Sequence, residues 1–184
     1  MQSEYSFRLD SGLEIKVRRE TTDDLPYMID LFEHVSPESR LERGGERVHR
    51  LDHGMAVKEA TQLVQLNPAQ AVVWLAFVDL PEQRSLPVAS AYYTRTAADE
   101  ADLTVVVRDD MRGKGIGSRM LYFALDQARA DGIRKVASSF ASKNEGAWQI
   151  LQYSPYHITW QPSGEQIEVA IHLQARTTSS TVLN

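Results

Sequence analysis

Apolar positions along the chain switch between a period of two and a period near four, and the switches delimit the elements. Residues 14–19 alternate Ile15 and Val17 with charged neighbours, as a half-buried first strand does. Thr21 or Thr22 then caps a helix with Asp23 and Asp24 in its first turn and an apolar face of Leu25, Met28, Ile29 and Phe32. Pro26 falls early enough in that helix to be tolerated. Ser36-Pro37 opens a short helix over residues 36–40. Charged residues 41–52, broken by Gly44-Gly45, read as a loop or a loosely packed helix, and residues 55–66 as a helix closed by Asn67-Pro68. Strands at 71–78, 88–96 and from 102 onward follow with short polar connections between them, so they pair antiparallel.

The stretch 102–129 organises the rest. Leu103, Val105 and Val107 alternate with Thr104 and Val106, a β-branched run suited to a buried strand. The polar turn Arg108-Asp109-Asp110 leads into Arg112-Gly113-Lys114-Gly115-Ile116-Gly117-Ser118. A helix with Ile116, Met120, Ala124 and Ala128 on one face comes next, stopped by Asp131-Gly132. A strand at 135–140 after that helix implies a crossover and a parallel neighbour. Asn144 opens a last helix that ends at Ser154-Pro155. Strands at 157–161 and 166–173 flank Pro162-Ser163-Gly164, a hairpin signal, and the Thr/Ser-rich tail 174–184 reads as frayed. The pattern predicts one α/β domain with a mixed sheet and no internal repeat.

Chemistry follows from strand, glycine-rich turn and helix in that order. The first N–H groups of a helix lack intrahelical acceptors and sit at the positive end of its dipole. Glycines let the backbone approach a ligand closely, so the turn suits a phosphate or pyrophosphate, with Arg112 and Lys114 adding charge. Lys114 is followed by glycine, not by the Ser or Thr of a P-loop, and G-x-G-x-G differs from the dinucleotide fingerprint.

Composition narrows the classes. A chain of 184 residues with 42% hydrophobic content suits one globular domain. Its net charge of −5 gives no broad basic surface for nucleic acid. There is no cysteine, hence no thiol nucleophile and no disulfide. His34, His49, His53, His157 and His172 show no metal-ligand spacing. No apolar run approaches a membrane span and the N-terminus lacks the apolar centre of a signal peptide, so a cytoplasmic protein is expected.

Arg-x-x-Gly-x-Gly after a Val-rich strand resembles the acetyl-CoA signature of the GNAT N-acetyltransferase superfamily, and the element order over residues 14–173 is similar to that fold. The chain further resembles the acetyltransferase domain of Pat-type bacterial protein lysine acetyltransferases. Ser36–Arg40, Val105–Val107 and Asp131-Gly132-Ile133-Arg134-Lys135-Val136 carry that likeness. Ser154-Pro155-Tyr156 departs from the Leu-Gly-Phe usual there, and the nucleotide-binding or ligase-like domain to which such domains tend to be fused is not expected within these 184 residues.

The resemblance implies acetyl-CoA as donor, no metal, and an amine acceptor: a protein lysine first, a small-molecule amine as the alternative. An acyl-CoA-binding sensor without turnover is the reading from another class, and a homodimer stays open. Carried onto this chain, Val105 and Val107 contact the acetyl-pantetheine end. Arg112, Gly113, Lys114, Gly115, Gly117 and Ser118 hold the pyrophosphate. Asn144 bonds the pantetheine or only caps its helix. Asp102 is the candidate base, with Glu100 the substitute if the register differs, and the Val107 N–H polarises the thioester. Leu151 stands where many relatives place an acidic tyrosine, with Tyr153 and Tyr156 nearby. The acceptor site is expected between residues 36–66, with Glu38, Glu42 and Glu46, and the final hairpin.

Overall fold

A computed structural model describes residues 5–36 and 53–173. Its strands are β1 (Tyr5–Arg8), β2 (Glu14–Arg19), β3 (Ala71–Val78), β4 (Leu86–Arg95), β5 (Glu100–Val107), β6 (Lys135–Ala141), β7 (His157–Ser163) and β8 (Gln166–His172). The helices are α1 (Leu25–Glu33), α2 (His53–Val64), α3 (Ile116–Ala130) and α4 (Glu145–Gln152). Residues 37–52, which hold the expected short helix and Glu38, Glu42 and Glu46, and the tail 174–184 lie outside the described residues. None of the described helices is long and apolar enough to cross a membrane.

All eight strands form one mixed sheet in the order β1-β2-β3-β4-β5-β6-β8-β7. β5 and β6 run parallel, because α3 carries the chain over the sheet between them, and every other neighbouring pair is antiparallel. β1 is absent from the sequence expectation. It pairs with β2 across a turn in which Gly12 adopts φ +85°, a hairpin too short and too polar to show a periodic signal. β7 continues through Pro162, which an edge strand tolerates.

The two faces of the sheet are covered by different helices. Alternation along β5 sends Ala101 and Leu103 into the core beneath α3, with Val105 and Val107 packed against it, while Val106 goes into the core beneath α1 and α2. α3 buries Ile116, Met120, Ala124, Leu125 and Ala128, the expected stripe, and each large member contributes roughly 2 kcal/mol of burial. α4 rests on Phe140, Ile167 and Val169 through Trp148 and Leu151, on the same side as α3 but over other strands. Trp148 stands edge-on between Phe140 and Trp160, each pair of rings 5.3 Å apart.

Candidate active site

β5 and β6 pair only at Glu100–Lys135, Ala101–Val136 and Asp102–Ala137. Beyond that rung β5 stays with β4 as far as Val107, and β6 stays with β8 as far as Ala141. α3 rides on one lip of the opening and α4 on the other, so packing holds the strands apart. The Tyr122 hydroxyl of α3 donates to the Ile150 carbonyl of α4 (3.1 Å) and ties the helices together. The gap widens into a cleft of about 1080 Å³.

The hydrogen-bond parity of β5 decides what faces this gap. Arg108 N–H donates to the Val88 carbonyl (3.1 Å), and the Glu100 carbonyl accepts from Thr96 N–H (3.0 Å). The β4–β5 register has no bulge, so even-numbered residues of β5 turn their backbone groups toward β4. The N–H and C=O of Val105 and Val107 therefore point into the gap, past the last rung with β6. Their side chains are half-buried and line the cleft.

The glycine-rich turn closes one end of the cleft. Gly113 and Gly115 have φ +72° and +80°, and a Cβ at either would meet open space, so conformation explains these glycines better than crowding does. Gly115 is the N-cap of α3 and supplies no side-chain cap. The first backbone bond of the helix runs from Arg119 N–H to the Gly115 carbonyl (3.2 Å), which leaves the N–H groups of Ile116, Gly117 and Ser118 without helical acceptors. All three residues line the cleft, as do Arg112 and Gly113. A Cβ on Gly117 would stand 3.5 Å from Val107 Cγ2, an ordinary contact. The Ser118 hydroxyl donates to the Gly115 carbonyl (2.9 Å). Lys114 is placed apart: its ammonium donates to the Asp110 carbonyl (2.7 Å), and it is not among the residues lining the cleft. Three free N–H groups beside an arginine have the chemistry to hold a pyrophosphate.

Asn144 lines the cleft from the α4 side as a helix N-cap, its Oδ1 accepting from Ala147 N–H (3.1 Å). Asp102 is exposed, on the last β5–β6 rung, and lines the cleft. Glu100 lies one turn of the pleat further back with both carboxylate oxygens 3.2 Å from Lys135 Nζ, and it does not line the cleft. Leu151 lines the cleft. Tyr153 is 78% exposed and turned away from it. The Tyr156 hydroxyl donates to Asp126 Oδ1 (2.7 Å); burial and that carboxylate push it up to about 12. Neither tyrosine is placed to give a proton inside the cleft.

Two features escaped sequence reasoning. Ser138 and Ser139 line the β6 lip, where the alternation of 135–140 marks a strand but not which neighbour it leaves. Arg108, read as part of a polar turn, is 4% exposed. Its guanidinium donates to Asp110 (2.7 and 3.2 Å), to Asp30 of α1 (3.3 Å) and to the Pro87 carbonyl of β4 (3.2 Å). Asp109 receives the Ser36 N–H (2.9 Å) and donates its own N–H to the His34 carbonyl (2.9 Å), so the turn is pinned to the end of α1.

No curated protein matches the sequence. Among solved structures, the chain is similar to the GNAT domain of PAT from S. lividans, with a TM-score of 0.76 and 22% identity over 92% of this chain and 96% of that one. It is also similar to a cAMP-binding acyltransferase from Mycobacterium smegmatis (TM-score 0.60, 17% identity, 96% of this chain), of which it spans 49%. A putative phosphinothricin N-acetyltransferase gives a TM-score of 0.63 at 15% identity, with 87% of this chain and 99% of that one covered. These likenesses establish the fold. The family model for the acetyltransferase (GNAT) family matches residues 42–152, more than half of the sequence, and the chain belongs to that family.

Proposed function

We propose that the protein is an acetyl-CoA-dependent N-acetyltransferase acting on a primary amine, with a protein lysine as the favoured acceptor. The observation that carries this reading is the opening of the sheet beyond Asp102–Ala137, with unpaired backbone groups of β5 on one side and the uncapped start of α3 at its end. Acetyl-CoA supplies an activated acetyl thioester and a leaving thiolate. The N–H groups of Ile116, Gly117 and Ser118, with Arg112, hold the pyrophosphate. The N–H groups of Val105 and Val107 meet the pantetheine and the thioester oxygen, where a donor stabilises developing negative charge.

The acceptor must attack as a neutral amine, whereas a lysine in water titrates near 10.4. Asp102 is three residues before Val105, about 10 Å along the strand, so its carboxylate takes the proton through intervening water. The new bond joins amine nitrogen to acetyl carbon, the carbon–sulfur bond breaks, and the electron pair leaves on sulfur. Asp102 is preferred over Glu100 because Glu100 is engaged by Lys135 and does not itself line the cleft.

Free-thiol release from acetyl-CoA, with lysine peptides and small amines as acceptors, tests this together with calorimetry of acetyl-CoA binding. Acceptor-dependent release is expected. Asp102→Asn is expected to lower turnover about a hundredfold with little change in acetyl-CoA affinity. Binding without release from any acceptor would support an acyl-CoA sensor instead, and no binding would overturn the assignment of the cleft.

A further inference from the structure

The cleft passes through the sheet at the opening, and among the described residues its far side is an open face. Cross-strand partners share a face, so Asp102 shares one with Ala137, Ala170 and Thr159, its successive neighbours on β6, β8 and β7. The next row on the same face is Ser139, Glu168 and Gln161. α1 and α2 cover this face only over β3 to β5. Asp102, Glu168, Thr159 and Gln161 are exposed, and all four line the cleft.

The charges on this face are unequal. In the row behind Asp102, Glu100 and Lys135 neutralise one another, followed by the paired rings of His172 and His157 at 5.1 Å. Asp102 and Glu168 remain, and no lysine or arginine among the described residues pairs with either. Glu168 is held in place: Gln161 Nε2 donates to its Oε2 (2.8 Å). That bond and one from Ser163 hold its carboxyl below the usual range, so it is anionic at neutral pH. Two strand spacings and two residues separate Asp102 from Glu168, about 12 Å between Cα atoms. Between them are the small side chains of Ala137, Ala170 and Ser139.

We propose that this face selects acceptors carrying a second positive charge about 10 Å from the reacting amine, with Glu168 as its counter-ion. The inference rests on the acetyltransferase reading, because it takes the reacting amine to lie beside Asp102. Glu168 acts on acceptor binding and leaves the donor untouched. The chemistry is met by a lysine with a basic residue nearby in a peptide and by a linear polyamine.

The test compares kcat/KM for a lysine peptide with a nearby arginine against its alanine counterpart, and for 1,8-diaminooctane against octylamine, in the wild-type protein and in Glu168→Gln. In the wild type the dicationic member of at least one pair is expected to be favoured about fivefold through a lower KM, and less so at high salt. Preference within the peptide pair alone points to a basic protein segment, and within the amine pair alone to a small polyamine. In Glu168→Gln the preference is expected to vanish, with kcat on the monocationic acceptors and acetyl-CoA affinity unchanged. Equal kcat/KM for mono- and dications in the wild type, or a preference that survives Glu168→Gln, would overturn the proposal while leaving the acetyltransferase reading intact. Absence of thiol release with every acceptor would overturn both.

Discussion

Glu20 follows β2 and is half-buried, with Oε1 lacking any hydrogen-bond partner. Burial first, and the charge of Asp24 second, push its carboxyl up to about 7. Between its ordinary value of 4.5 and 7 the folded protein keeps a proton that the unfolded chain has released. Stability therefore falls as pH rises through that window. Glu20→Gln removes the ionisation, so its melting temperature is expected to exceed that of the wild type at pH 8 and to match it near pH 4; equal melting temperatures at pH 8 would refute the assignment. Asp24 was legible as a first-turn acid. Its pairing with Arg18 (2.6 and 2.7 Å) was not, because that contact depends on where β2 meets the helix start.

At the scale of elements, the β5–turn–α3 unit is nearly a local property. Its boundaries, its buried stripe and its left-handed glycines follow from short-range rules: alternation, a four-residue repeat, and positive φ without a Cβ penalty. Gly115→Glu places a side chain at φ +80°, which costs about 1–2 kcal/mol of backbone strain, and an anion where the uncapped N–H groups sit. Because a Cβ there meets open space, the variant is expected to fold with a melting temperature lowered by about 5 °C. Acetyl-CoA affinity measured by calorimetry is expected to fall more than about a hundredfold, since bulk and repulsion act together at the proposed phosphate site. Near-wild-type affinity would remove the pyrophosphate from this turn. Lys114 shows the limit of local reading: the motif puts a cation at the right place in sequence, and a backbone carbonyl of the preceding turn takes its ammonium.

At the scale of the molecule, Arg108 joins three parts that are distant in sequence: β4 through Pro87, α1 through Asp30, and its own turn through Asp110. Arg108→Ala would leave the Pro87 carbonyl and two carboxylates without their donor. Because Asp30 and Asp110 remain partly solvated, the expected loss is about 3 kcal/mol, near the lower end for a broken buried pair. This corresponds to a fall of about 10 °C in melting temperature, checked by calorimetry. A fall under about 2 °C would show that the arginine is incidental. The turn before the glycines would also lose one of its tethers to α1, keeping those of Asp109 to Ser36 and His34, so weaker acetyl-CoA binding is expected together with the lost stability.

Element types, the parallel crossover at β5 and β6, and the location of the glycine turn were determined by the sequence, because each rests on interactions within a few residues or on a single connection. The short β1 hairpin was not legible, since four residues carry too little pattern. The tertiary structure alone decided where β5 and β6 part, because that depends on α3 and α4 packing over different strands. It also decided which backbone groups of Val105 and Val107 face the gap, a parity set by hydrogen bonds to β4. The engagement of Glu100 by Lys135, and the placement of Asp102 and Glu168 on one face that is open among the described residues, arise from register across three strands, which no local pattern along the chain contains.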